Sequence, residues 1–441
     1  MQASIRRWMV TMILTTVAGI ALGDTHYVRR DNPTPVSPYE SWETAATNIQ
    51  DAVDVAGVGA TVLVSNGVYD AGGKWVTYAN YSASNRVYVG AAITLRSVNG
   101  PAETFIQGAP DPDTGTNGPA ATRCVMLRAG ASLIGFTLTN GFSATGHADW
   151  QRIGGGVWLY HASSLVSNCV IVGNHSARSG GGVYLWAGTV VDCVITGNSA
   201  AGYGAGICCS GRDFCLIDAC IITNNHSILH GGGVAFLGKN FSPTTLMQNC
   251  VVVGNRATGT GNSSLGGGIH VNYCDGTVRN CLIASNMSGG HGAGIFLSGA
   301  VGTGSPIVEN CTIVDNGPET ELYGSGGIRI DTSGAVTNCI VWGNRQGNFS
   351  INAGASVSYS CSDPKMTGWP GEGNIGDAPR FVDAGVGNYR LKGHSPCVNT
   401  GTNLTWLMSA KDLDGKLRIR YGTVDMGAYE TLYQGAMISI R

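Results

Sequence analysis

The chain runs to 441 residues, 67 of them glycine, and only 12% are charged, against roughly 25% in an average soluble protein. A formal net charge of −2 gives no electrostatic argument for a nucleic-acid or anionic-membrane partner. So little charge with so much Gly, Ser, Thr and Asn argues against a helical bundle and for strands joined by turns.

The N-terminus reads as an export signal over residues 1–23. Arg6 and Arg7 precede an apolar run from Trp8 to Leu22, and the small residues Ala21 and Gly23 stand before Asp24. That is the order of a secretory peptide. The run falls short of the ~20 apolar residues of a membrane span, and no later stretch is apolar enough to be one. The mature chain is therefore expected to be secreted or at the cell surface. Fourteen cysteines in such a chain would ordinarily mean disulfides, but the placement of half of them argues for another role.

Residues 44–56 put Ile49, Ala52, Val53 and Ala56 on one helical face, and Gly57 stops the helix. This helix is expected to cover the N-terminal end of a strand-rich body. "ATVLVSNGVYD" reads as the first strand segment, and residues 86–141 supply early, less regular coils.

From there a repeat takes over. Cys169, Cys193, Cys220, Cys250, Cys281, Cys311 and Cys339 are spaced 24, 27, 30, 31, 30 and 28 residues apart. Five residues after each stands an asparagine: Asn174, Asn198, Asn225, Asn255, Asn286, Asn316 and Asn344. A fixed interval inside a repeat of variable length means that a strand is held between corners while loops change. The runs between are short and β-branched, as in "CVIVGN" and "CVVVGN", where a helical solenoid would need longer runs of period 3.6. Glycine clusters such as "GGGVYL" open the other strand of each coil. The fold expected is all-β, a right-handed parallel β-helix over residues 24–344. Its cysteine column fills the core as small apolar residues and its asparagine column passes amide hydrogen bonds from coil to coil.

In the strand after the glycines, alternate residues point outward. Trp158, Tyr160, Tyr184 and Trp186 fall there on adjacent coils. Two readings stand: an open platform for sugar rings, or rings lying beneath the 141–153 loop. Farther along the same face come His270, Arg329 and Asp331, the candidates for catalysis, although an Arg and an Asp on one strand are more often a solvated pair. His226, His230 and His291 are expected near corners, facing solvent.

Residues 345–433 lack the repeat and are expected to cap the last coil, with 434–441 as a tail. Cys361 and Cys397 are candidates for a disulfide there, two buried thiols being the alternative. "KDLDGK", with Asp412 and Asp414, lacks the later ligands of a calcium loop and reads as a turn. No metal site and no cofactor is expected; Ca²⁺ could bind, but nothing in the sequence supports it.

"SWETAATNIQDAVDVAGVGATVLVSNGVYD" resembles the start of bacterial pectin-lyase-like β-helix proteins, and the "GGGV…N" coils resemble repeats of polymorphic outer-membrane proteins. "GDAPRFVDAGVGNYRLKGHSPCVNTG" with "DLDGKLRIRYGTVDMGAYE" resembles the choice-of-anchor Q domain, which implies an exported protein. After Glu430 only "TLYQGAMISIR" follows, without the sorting motif of that family. The function expected is non-catalytic surface adhesion or binding of a polysaccharide or cell-surface glycan through the aromatic strip. The alternative is a polysaccharide lyase or glycoside hydrolase, as the resemblance to pectin-lyase-like proteins implies.

Overall fold

A computed structural model describes residues 23–431 except 79–80, 147, 212, 239–244, 260–262, 300–304, 319–323, 353 and 369. The signal read at 1–23, Gly23 apart, and the tail 434–441 lie outside the described residues.

Each coil adds one short strand to each of three long sheets. In one coil these are Val157–Leu159 after the glycines, Leu165–Ser167 before the cysteine and Val170–Val172 after it. The glycine-fed, pre-cysteine and post-cysteine sheets hold 11, 12 and 11 strands among the described residues. Coil-to-coil pairing is parallel and in register: Val157 faces Val183, Val166 faces Val190 and Ile171 faces Ile195. A fourth sheet of six two-residue strands, such as His175–Ser176, follows the asparagine corner.

In-register stacking makes every repeat position a column. The seven cysteines are at most 1% exposed, inside one apolar core that runs from Val28 to Val357. The Cys250 backbone N–H reaches the Cys281 Sγ at 3.4 Å, as adjacent rungs must. The asparagines form a continuous amide ladder. Asn174 Nδ2 donates to Asn198 Oδ1, Asn198 to Asn225, Asn225 to Asn255 and Asn255 to Asn286, each at 2.9–3.0 Å. Each Oδ1 also accepts the backbone N–H of the preceding asparagine, so a corner that removes backbone polar groups from water is fully paired.

The residue before each cysteine is often asparagine for a separate reason. Asn168, Asn249, Asn280, Asn310 and Asn338 all have φ of 48–56°. This is the left-handed region, which asparagine tolerates better than most residues.

The helix Ile49–Val55 covers the N-terminal end, capped by the Asn48 side chain and burying Ile49, Ala52 and Val53. Ahead of it, Thr25–Val28 pairs with Thr61–Val64 and begins the pre-cysteine sheet.

The C-terminal part differs from the cap expected at 345–433. Strands Phe349–Ile351, Ala355–Ser358 and Cys361–Ser362 first complete a further coil. Residues 370–375 then bond along its edge. The rest lies along the side of the coils as a strap. It packs on the outward face of the post-cysteine sheet, where Tyr389, Ala428 and Tyr429 cluster with Leu282 and Val314. Polar contacts follow the same path: Tyr389 donates to Asp315 at 2.6 Å, the Ala428 N–H to Thr312 Oγ1 at 3.0 Å, and Asn338 Nδ2 to the Thr402 carbonyl at 2.8 Å. Asp412 is the pivot of a turn, accepting from the N–H groups of Asp414, Lys416 and Glu430.

Candidate functional site: an aromatic cleft on the glycine-fed sheet

The glycine corners aim this sheet. Gly180 has φ 66°, and a Cβ there would stand 2.4 Å from the Val183 carbonyl oxygen. No other residue fits, and the chain turns sharply enough to point the first strand residue inward and the next outward. Met126, Trp158, Tyr184, Cys208, Ala235, His270, Phe296 and Arg329 therefore form one outward column.

The four aromatics expected on this face are brought together, but not as a bare platform. Trp158 and Tyr184 are 5% and 7% exposed, in a cluster with Met126, Ile153 and Cys208. The cover comes in part from the one-turn 3-10 helix Asp149–Arg152, whose Trp150 ring stacks on Trp158 at 6.2 Å with 25° between planes. Tyr160 and Trp186 remain half-exposed and nearly parallel, 14° apart with centroids at 6.0 Å. The result is a cleft of about 590 Å³, walled by Val76 of the Lys74–Tyr78 strand on one side and reaching Asn272 on the other. Of the four rings, two are thus covered and two open.

Its charges are mostly positive. The Arg128 guanidinium lies 4.7 Å over the Tyr160 ring, and no carboxylate of the described residues pairs with it. Arg178 forms an ion pair with Asp149, the one carboxylate among the described residues that line the cleft. Beneath the floor, Arg123 is 1% exposed and 5.5 Å from the Trp158 ring. It bonds only to uncharged acceptors: Gly154 O at 2.6 Å, Asn85 Oδ1 at 2.6 Å and Ile153 O at 2.8 Å. Burial pulls its pKa down to about 10, which leaves it charged at neutral pH. The Trp158 indole N–H is buried with no acceptor among the described residues.

Comparison with known proteins places this geometry. A family model described as a right handed beta helix region matches residues 151–299. The solved structure of pectate lyase Pel9A aligns over 93% of this chain and 97% of its own, with TM-score 0.57 at 14% identity. A rhamnogalacturonan lyase aligns over 90% and 95%, with TM-score 0.51 at 13% identity. The chain folds as a right-handed parallel β-helix. No curated protein matches it in sequence.

On this β-helix the three catalytic candidates do not converge. His270 is 2% exposed, its ring between His230 at 4.8 Å and Phe296 at 5.4 Å. Burial holds it well below the usual histidine range, so it stays neutral. Phe296 separates it from Arg329 in the column. Arg329 is engaged with Ser350 at 2.6 Å and Asp331 at 3.3 Å, and Asp331 also accepts from Asn352 at 2.8 Å. None of the three lines the cleft. His230 is likewise not a solvent-facing corner residue. It sits half-buried against Tyr203 and His270, with Nδ1 accepting the Leu265 N–H. No group of three or more His, Cys, Asp or Glu side chains among the described residues could hold a metal ion.

Trp150, Arg123, Arg128 and Arg178 were not singled out by the sequence. Arg128 had a signal: it follows Leu127, which pairs with Leu159, so it continues the Tyr160–Trp186 column by one coil. Trp150 and Arg178 come from a loop and a corner outside the repeated columns, and Arg123, in the strand Thr122–Leu127, belongs to a coil before the repeat becomes regular, so none of the three carried one.

Proposed function

We propose that this protein binds an acidic polysaccharide in the aromatic cleft, as an exported, non-catalytic surface or adhesion protein. One observation carries the reading: Trp158, Tyr160, Tyr184, Trp186 and the loop-borne Trp150 converge in one cleft with Arg128 and Arg178 at its walls and Arg123 below. Aromatic faces take the apolar C–H face of a sugar ring, and Tyr160 and Trp186 keep theirs half-exposed in the cleft. Three guanidinium groups against one carboxylate favour an anionic chain. The basic and apolar order of residues 1–23 and the likeness of the C-terminal part to choice-of-anchor Q domains support export.

Cleavage of the polysaccharide is the second reading. In its favour stand the lyases among the solved structures alike in fold, and the Asp149–Arg178 pair at the cleft. Against hydrolysis, the cleft's described lining has a single carboxylate where two are needed.

The test is affinity electrophoresis in polygalacturonate and in a neutral glucan. Trp186→Ala is expected to weaken retention about tenfold, or about 1.4 kcal/mol. Arg128→Ala is expected to weaken it in the acidic polymer alone and to reduce its salt dependence. Absence of retention of the parent in every polymer tried removes the binding reading. Unsaturated products released from polygalacturonate, and lost in Arg178→Ala, would replace it with the lyase reading.

A further inference from the structure

The inward cysteine column ends at Cys339, whose backbone N–H meets Ser360 Oγ on the next coil at 3.1 Å. Cys361, one residue on, therefore belongs to a different column. It pairs in register with Ile340, which follows Thr312, Leu282 and Val251 on the outward face of the post-cysteine sheet. That is the face under the strap. Cys397, on the strap, meets it there: both thiols are 0% exposed in one cluster with Ile340, Leu391 and Met426. The adjacent Cys397 thiol, and then burial, push the Cys361 thiol well above its usual range.

The ladder thiols differ in kind. Each lies between coils already joined by a full set of strand hydrogen bonds and donates to the carbonyl two residues before it, as Cys193 does to Val191 and Cys311 to Glu309, both at 3.2 Å. Cys361 and Cys397 are also thiols in this structure, with Cys361 Sγ donating to the Asp377 carbonyl at 3.2 Å, but they meet across a junction between two separate parts of the fold. The strap has no ladder joining it to the coils, only side-chain packing and scattered hydrogen bonds.

We propose that Cys361 and Cys397 form a disulfide that staples the strap to the last coil, and that the seven ladder cysteines remain thiols. The reaction is thiol–disulfide exchange. The two thiols give up two protons and two electrons as the S–S bond forms, and one disulfide of the oxidant, a small-molecule or protein disulfide, is reduced to two thiols. With both sulfurs buried once the strap docks, the exchange belongs to folding, and the finished bond is shielded from reductants.

The experiment uses the full chain, refolded in a buffer of oxidised and reduced glutathione. It is then unfolded in guanidinium with iodoacetamide and no reductant, and mapped by mass spectrometry. A peptide pair joining Cys361 to Cys397, with the seven ladder cysteines alkylated, is expected. A second measurement tracks strap residues 389–431 by hydrogen exchange with and without reductant during refolding. Reductant is expected to speed exchange there in the parent and to change nothing in Cys397→Ser. Alkylation of both Cys361 and Cys397, their linkage to other cysteines, or the same reductant effect in Cys397→Ser would each overturn the assignment.

Discussion

At the scale of single residues, the columns differ in what they contribute. Asn255 Oδ1 accepts both the backbone N–H and the amide of Asn225, while the Asn255 amide feeds Ile222 O and Asn286 Oδ1. Asn255→Ala leaves those buried partners unpaired, at roughly 1–3 kcal/mol for each. Cys250→Ala removes one buried heavy atom from the core, at about 1 kcal/mol. Urea midpoints of the two variants should therefore separate clearly, the asparagine change costing more, although both side chains are fully buried. Both columns were legible in the sequence because a five-residue interval is set by backbone geometry and repeats on every coil. Arg123 was not legible. It appears once, and what makes it notable is a burial without a carboxylate partner that only coil stacking creates.

Histidine supplies a pH term at the same scale. His230 and His270 lie against each other with Tyr203 and Phe296 as outer neighbours, and burial pulls His230 down to about 4 and His270 well below its usual value. Both are neutral when folded, whereas in the unfolded chain they take a proton below about 6.5. The stability they allow is complete above that value and is lost as pH falls from about 6.5 toward 4, by at most about 1.4 kcal/mol per pH unit for each. His270→Phe keeps an aromatic ring in the stack and removes one titration. Denaturation midpoints from pH 7 to 4 are expected to fall less steeply in that variant.

At the scale of elements, the strap carries the opposite dependence. Arg418 is fully buried, 3.2 Å from the Glu430 carboxylate, and also donates to Asn280 Oδ1 and to the Asp425 and Gly427 carbonyls. Asp412 and Asp425 crowd the same site, so burial and excess negative charge push Glu430 up to about 8 despite Arg418. The folded state holds this proton after the unfolded carboxyl, near 4.5, has lost it. Its contribution is therefore whole below about 4.5 and is lost as pH rises to about 8. Glu430→Gln should flatten the fall in strap protection between pH 5 and 8, measured by hydrogen exchange at residues 411–431, without touching the acid limb set by the histidines. The strap was the least legible element. Its sequence has no period, because it contacts the coils through single side chains at irregular intervals, and its path along the flank depends on which outward columns are apolar.

Taken whole, the molecule is a one-dimensional stack whose coils touch only their neighbours, so stability varies along its length instead of collapsing in one step. The outward post-cysteine column shows where. Leu282 and Ile340 are 7% and 1% exposed beneath the strap, whereas Ile221, in the same column two coils before Leu282, is 46% exposed. Backbone pairing is the same at both places, so the difference between them is the cover. The coils bearing Val194 and Ile221 are held by their ladders alone, and those bearing Leu282 to Ile340 by ladders and strap together. Amide exchange is therefore expected to be slower at Leu282, Thr312 and Ile340 than at Val194 and Ile221. Arg418→Met, which loses the buried pair with Glu430, is expected to bring the first group toward the rate of the second while leaving the second unchanged. Uniform acceleration along the whole stack would mean instead that the coils open as a single unit and that the strap is bound to all of them energetically, not only to those it covers.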